Sequence, residues 1–190
     1  MPGYDQFPKR YITLDDDVAL LLDEEAERSG ISPDKLLEDI ITKAATFDIP
    51  LSKIGMIETP LPELYGILEC LSEEDIKNIA RNEAERNFDD ILSLLSVNQD
   101  YFGSVIEQFY ERFSKYSGWF TFGYTVTGTS GLRLSFKHTY GIKWSIFLSG
   151  YNQVVLDRFC SNVIMQTLDD EVVCDVNLNQ CNSNKTVQNL

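Results

Sequence analysis

Two cations stand side by side in "PKRYITLDDD", residues 8–17, in a chain whose 30 Asp and Glu outnumber its 16 Lys and Arg and set a formal charge of −14. Side chains of that type meet anions, yet three consecutive aspartates, Asp15 to Asp17, follow them closely. Other residues with chemical capacity are scattered. His138 is the single histidine, and with Cys160 and Cys174 it makes a conceivable metal set. Zinc motifs depend on close-spaced ligand pairs, which are missing here, so ordinary buried side chains and no metal are the expectation. Cys70, Cys160, Cys174 and Cys181 contain no C-x-x-C pair and suit buried or idle thiols of a reducing compartment better than a disulfide framework. Asp89–Asp90 and Asp169–Asp170 offer paired carboxylates for acid and base work, but each reads more simply as a helix cap or a turn. No G-x-S-x-G, P-loop, H-E-x-x-H or glycine-rich phosphate loop occurs, and "GTSG" at 128–131 reads as a hairpin turn. The expectation is a protein that is not an enzyme and holds no cofactor.

The charge also limits partners. Broad affinity for nucleic acid comes from neutralising phosphates with Lys and Arg, so a chain at −14 confines any DNA contact to a small local patch. With 43% apolar and 12% aromatic residues the composition is that of a folded protein. No run of about 18 apolar residues is present to span a bilayer, and the first residues carry no apolar segment of a secretory leader. A cytoplasmic protein without a membrane partner is expected.

The elements that would position these residues follow from periodicity. Lys9 to Leu14 alternates sides and contains Tyr11, Ile12 and Thr13, as a strand does. Asp15 or Asp16 then caps a helix whose Val18, Leu21, Leu22 and Ala26 make one apolar stripe, ended by a left-handed Gly30. Ser32 as N-cap, Pro33 at the first position and Asp34 in the first turn start a second helix with Leu36, Leu37, Ile40, Ile41 and Ala44 on its apolar face. A unit of about 40 residues is too small to bury both stripes alone, so a dimer is expected. Prolines between Pro50 and Pro62 mark a linker. Beyond it, Ser72 and Asp75 have capping-box spacing at the head of a helix with an expected interruption near Asn87. Tyr101, Phe102, Val105, Ile106, Phe109, Tyr110 and Phe113 share one face of a core helix. After Gly118 the period becomes two, giving a hairpin through Gly128–Gly131, then a helix from about Ile142 to Cys160, then a hairpin around Asp169–Asp170.

The order, lengths and caps of "KRYITL", "DDD", "VALLLDEEAERS", "GIS" and "PDKLLEDIITKA" resemble the ribbon-helix-helix family of dimeric DNA-binding proteins, over about a quarter of the chain. The resemblance implies that two copies of the strand pair into a ribbon that enters the major groove. Ile12 and Leu14 would then face the dimer core, and Lys9, Tyr11 and Thr13 the DNA. Lys9 would donate to guanine, Thr13 would contact a base edge, and Arg10 would reach a phosphate. It further implies a phosphate clamp at the second helix N-terminus, mapping to Gly30, Ser32, Asp34 and Lys35.

The expected fold class is therefore α+β: a ribbon-helix-helix dimerisation module at 1–47, a linker at 48–62, an α+β domain of helices and a hairpin-helix-hairpin antiparallel sheet at 63–178, and a disordered tail at 179–190. The aromatic residues of that domain, Trp119 and Trp144 among them, read as core, or as the lining of a pocket for a small apolar effector. Strand alternation around Phe120 to Tyr124 puts apolar groups on both sheet faces, so a helix, ligand or protein partner would cover the second. The function expected is that of a homodimeric, sequence-specific DNA-binding transcriptional regulator with a sensing or oligomerisation domain. The alternative is an assembly protein that keeps the module for dimerisation alone.

Overall fold

Helix signals at the N-terminus act as read, but the described part of the expected strand, Tyr11 to Leu14, is not a strand. The computed structural model describes residues 11–181, Leu61 by its backbone alone. The chain falls into two units, Met1–Ala45 and Thr46–Leu190. In the first, α1 (Asp16–Ser29) follows Asp15 at the N-cap, with Asp16 and Asp17 in the first turn, where carboxylates oppose the positive end of the helix dipole. Gly30 closes it at φ +68°, and the Ile31 N–H donates back to the Ala26 carbonyl. Ser32 caps α2 (Pro33–Lys43) by accepting from the Lys35 N–H at 3.2 Å.

Tyr11 to Leu14 run without strand pairing, and the described unit opens on helices rather than on a ribbon. This overturns the ribbon-helix-helix arrangement expected in the fold class: a strand needs a partner for each N–H and C=O, and among the described residues none is paired with Tyr11 to Leu14. Residues 9 and 10 of the expected strand lie outside the described residues.

The segment read as a linker holds structure of its own. The backbone passes through a π-helical stretch, Ala44–Asp48, into α3 (Ile49–Ser52), where Pro50 occupies a first-turn position that requires no N–H donor. Phe47 and Leu51 are buried in the core of the second unit, and the Phe47 ring meets Phe113 edge-on at 5.2 Å.

That unit continues with α4 (Leu61–Glu69) and α5 (Glu73–Leu94). The Ser72 and Asp75 capping box is formed in both directions. No interruption occurs at Asn87: its side chain donates to Glu83 one turn back at 2.7 Å, and Ala80, Ala84, Phe88 and Ile91 keep the buried stripe unbroken. The aromatic helix is divided, with α6 (Phe102–Ser104), a π-helical stretch Val105–Tyr110 and α7 (Glu111–Tyr116). Strands β1 (Thr121–Thr127), β2 (Gly131–Lys137), β3 (Ile164–Thr167) and β4 (Glu171–Asn177) form one antiparallel sheet in the order β1-β2-β4-β3. Leu132, Leu134, Phe136, Val172, Cys174 and Val176 face the core. The opposite face of β2 and β4 is mainly polar, with Val173 among its residues: Arg133 clasps Asp175 through two bonds of 2.8 and 2.9 Å, and Ser135 donates to Glu171. Alternation around Phe120 misread this because the polar partners sit on the neighbouring strands.

Between the hairpins α8 (Gly141–Asp157) runs alongside α5 in the same direction. Lys143 near its start donates to the carbonyls of Leu68, Glu69 and Leu71, Gly150 packs on Ala80, and Arg158 after its end pairs with Asp89. A Cβ at Gly150 would lie 3.2 Å from the Ala80 Cβ, so the missing side chain is what lets the two helices approach. After β4 a single 3-10 turn, Leu178–Gln180, leads to Cys181, which is disulfide-bonded to Cys160. The expectation of thiols alone is thus corrected for this pair. The start of the expected tail is likewise tied down, residues 182–190 lying outside the described residues.

Candidate functional site

Two places in the chain have the residue types that bind. The first is the N-terminal helix pair. Helix α1 buries Ala26 and α2 buries none of its side chains, while Val18, Leu20, Leu21, Ile40 and Ile41 stand exposed. Lys9 and Arg10 lie outside the described residues. Tyr11 is 92% and Ile12 59% exposed; Thr13 is exposed too, and Leu14 is half-buried. The residues of the expected clamp are committed to local work. Gly30 is the C-cap of α1, the Ser32 hydroxyl takes the Lys35 N–H, and Pro33 has no N–H to give. The Lys35 ammonium bridges Glu38 at 3.2 Å and Asp39 at 3.1 Å, which favour its charged form and raise its pKa above the ordinary lysine value. Asp34 is exposed beside them, a carboxylate where a phosphate would sit.

The second unit holds the histidine, the free buried cysteine and the aromatic set. His138 is buried; its Nδ1 accepts the Tyr140 N–H at 3.1 Å, which puts the ring proton on Nε2, 2.8 Å from the Ser145 hydroxyl. Burial lowers its pKa, opposed by the nearby Asp170. Cys160 is committed to the disulfide, so the conceivable set of His138, Cys160 and Cys174 has lost a ligand, and among the described residues no His, Cys, Asp or Glu group of three is placed to hold a metal. The rings are core: Tyr110 touches Phe109, Phe122 and Phe136, and Trp119 packs edge-on against Phe113, Trp144 and Tyr151. Tyr110, Tyr151 and Asn152 are buried with side-chain polar atoms that no protein group meets. Burial pushes the Tyr110 and Tyr151 hydroxyls well above the ordinary tyrosine pKa, so both stay neutral.

Sequence reasoning missed a cleft of about 320 Å³ between α5 and α8, closed at one side by Thr167 of β3. Glu73, Lys77 and Arg81 line it from successive turns of α5, and Ile142, Ile146, Ser149, Gly150 and Gln153 from α8. The four-residue spacing of Glu73, Lys77 and Arg81 was legible, but the facing α8 residues lie some 70 positions away and meet them only through helix packing.

No family model, curated protein or solved structure matches this chain. Among the described residues, no helix is long and apolar enough to cross a membrane.

Proposed function

We propose that the chain is a homodimeric, sequence-specific DNA-binding transcriptional regulator. The observation that carries the dimer is the exposure of the helix pair: Leu21 is 63% and Ile40 50% exposed, and Ala26 is the one buried residue of the two helices. Apolar side chains stabilise by about 25 cal/mol for each Å² taken from water, so stripes of this size have a strong driving force to associate, and a second copy supplies a matching pair. What supports DNA as the ligand is the sequence. The segment preceding α1 holds the only adjacent pair of cations in the chain, Lys9 and Arg10, with Tyr11 and Thr13 beside them, side chains that can meet phosphates and base edges. The larger unit then serves sensing or further oligomerisation, and the cytoplasm is where such a protein works.

A second reading, an assembly protein that self-associates and ignores DNA, is favoured by charge. Residues 1–46 hold eleven acidic against five basic residues, a net −6. Of those cations Arg28 and Lys35 already hold carboxylates.

Selection from a random DNA pool at low salt separates the two. The regulator reading expects one sequence to be enriched and its binding to be lost when Lys9→Ala and Arg10→Ala are combined. An unenriched pool, or a double variant that binds as the parent does, leaves the assembly reading.

A further inference from the structure

We propose that the cleft between α5 and α8 is a binding site for a small organic anion, a carboxylate or phosphate group on a short apolar body. The site lies wholly within the second unit and stands whether or not the first unit binds DNA.

The charge arrangement is the first argument. Lys77 and Arg81 are one turn apart on α5, and like charges at that spacing repel. Helix α5 carries seven carboxylates, yet none of them pairs with either cation. Lys77 is half-buried and Arg81 exposed, so the pair forms a cationic wall that opens to solvent. The chain as a whole is at −14 and repels anions; an anion reaches this wall through local attraction alone.

The second argument is the rest of the lining. Ser149 and Thr167 bring hydroxyls that can donate to a carboxylate or phosphate oxygen, while the Gln153 amide already donates to Asp157 at 2.8 Å. Ile146 and Ile142 line the other end with apolar surface, Ile142 being 41% exposed. Glu73, at that end, would repel a second anionic group and accept from a donor. The lining thus grades from cationic to apolar and acidic over three turns of helix, which orients one ligand in one sense.

Size narrows the class. The cleft of about 320 Å³ is of a size for a small molecule. It lies at the lower end of the range for small-molecule sites. Gly150 is among its lining, and a Cβ there would lie 3.2 Å from the Ala80 Cβ and press on α5.

The test is thermal denaturation and calorimetric titration of the full chain with isovalerate, isobutyl phosphate, inorganic phosphate and the neutral isovaleramide. The proposal expects isovalerate or isobutyl phosphate to raise the midpoint in a saturable way, the better of the two identifying the head group, and isovaleramide to leave it unmoved. Lys77→Gln with Arg81→Gln should weaken that binding at least tenfold without lowering the unliganded midpoint, because neither side chain holds a carboxylate and the change relieves the repulsion between them. Arg86→Gln, on the same helix outside the cleft, should bind as the parent does. No shift with either organic anion, an equal shift in the double variant, or inorganic phosphate binding as tightly as both organic probes would overturn it.

Discussion

Reducing the bond between Cys160 and Cys181 should lower the stability of the larger unit by a predictable amount. The bridge joins the chain just beyond α8 to the end of the turn after β4, across a sequence separation of 21. Releasing a loop of that length returns conformational freedom to the unfolded chain worth about 3 kcal/mol at 25 °C. For a domain of this size each kcal/mol moves the midpoint by about 2 to 4 °C, so a drop of about 6 to 12 °C is expected on reduction. Native contacts in the region survive: the Ser161 N–H still donates to the Gln180 carbonyl and the Leu178 N–H to the Ser130 carbonyl, so the folded state loses little. The assay is circular dichroism during heating and urea titration, oxidised against reduced, with Cys160→Ala combined with Cys181→Ala as the covalent control. Alkylation ties the transition to the bond: the oxidised chain should yield Cys70 when folded and Cys174 only on unfolding, and the reduced chain all four. Coincident oxidised and reduced transitions would refute the reasoning, since the loop-entropy argument permits no such result if the bond is present.

Two further outcomes follow from buried polar groups. His138 has its pKa depressed by burial below the ordinary 6.5, so the unfolded chain binds its proton more tightly. Stability should therefore be level above about pH 6.5 and fall as the pH drops through the folded value, since a proton on Nδ1 would face the Tyr140 N–H. Urea midpoints between pH 5 and 8 check this, and His138→Asn should flatten the slope in that window. Tyr110→Phe removes a hydroxyl that no protein group satisfies, and is expected to leave stability unchanged or raise it by about 1 to 3 kcal/mol. A loss of stability would contradict it and would mean that the hydroxyl has a partner in solution.

Local chemistry was legible where it is local. Ser32 with Pro33, Gly30, and the reciprocal Ser72 and Asp75 cap all specify their own helix ends within a few residues, and each acts so in the structure. Both hairpins were legible because turn glycines and Asp169–Asp170 bracket alternating runs. The errors came where a distant group decides. Pro50 suggested a break, but a proline in the first turn of α3 costs no hydrogen bond, and burial of Leu51 holds that turn in the core. Asn87 suggested an interruption, but Glu83 satisfies its amide within the helix. Tyr11 to Leu14 have strand propensity with no partner strand to express it. Cys160 and Cys181 carry no spacing signature; the fold of β3 and β4 brings them together. The cleft was the least legible feature, because Lys77 and Arg81 look like ordinary surface charges until α8 is laid beside them.

The central claim, that the exposed helix pair is the surface joining two copies, is tested most directly by sedimentation equilibrium of the full chain. Twice the chain mass of 21.7 kDa is predicted at micromolar concentration, falling to the single-chain value when Leu21→Glu and Ile41→Glu place charges on the two exposed stripes. A parent chain that sediments at 21.7 kDa across the concentration range, or a variant that remains a dimer, would contradict it.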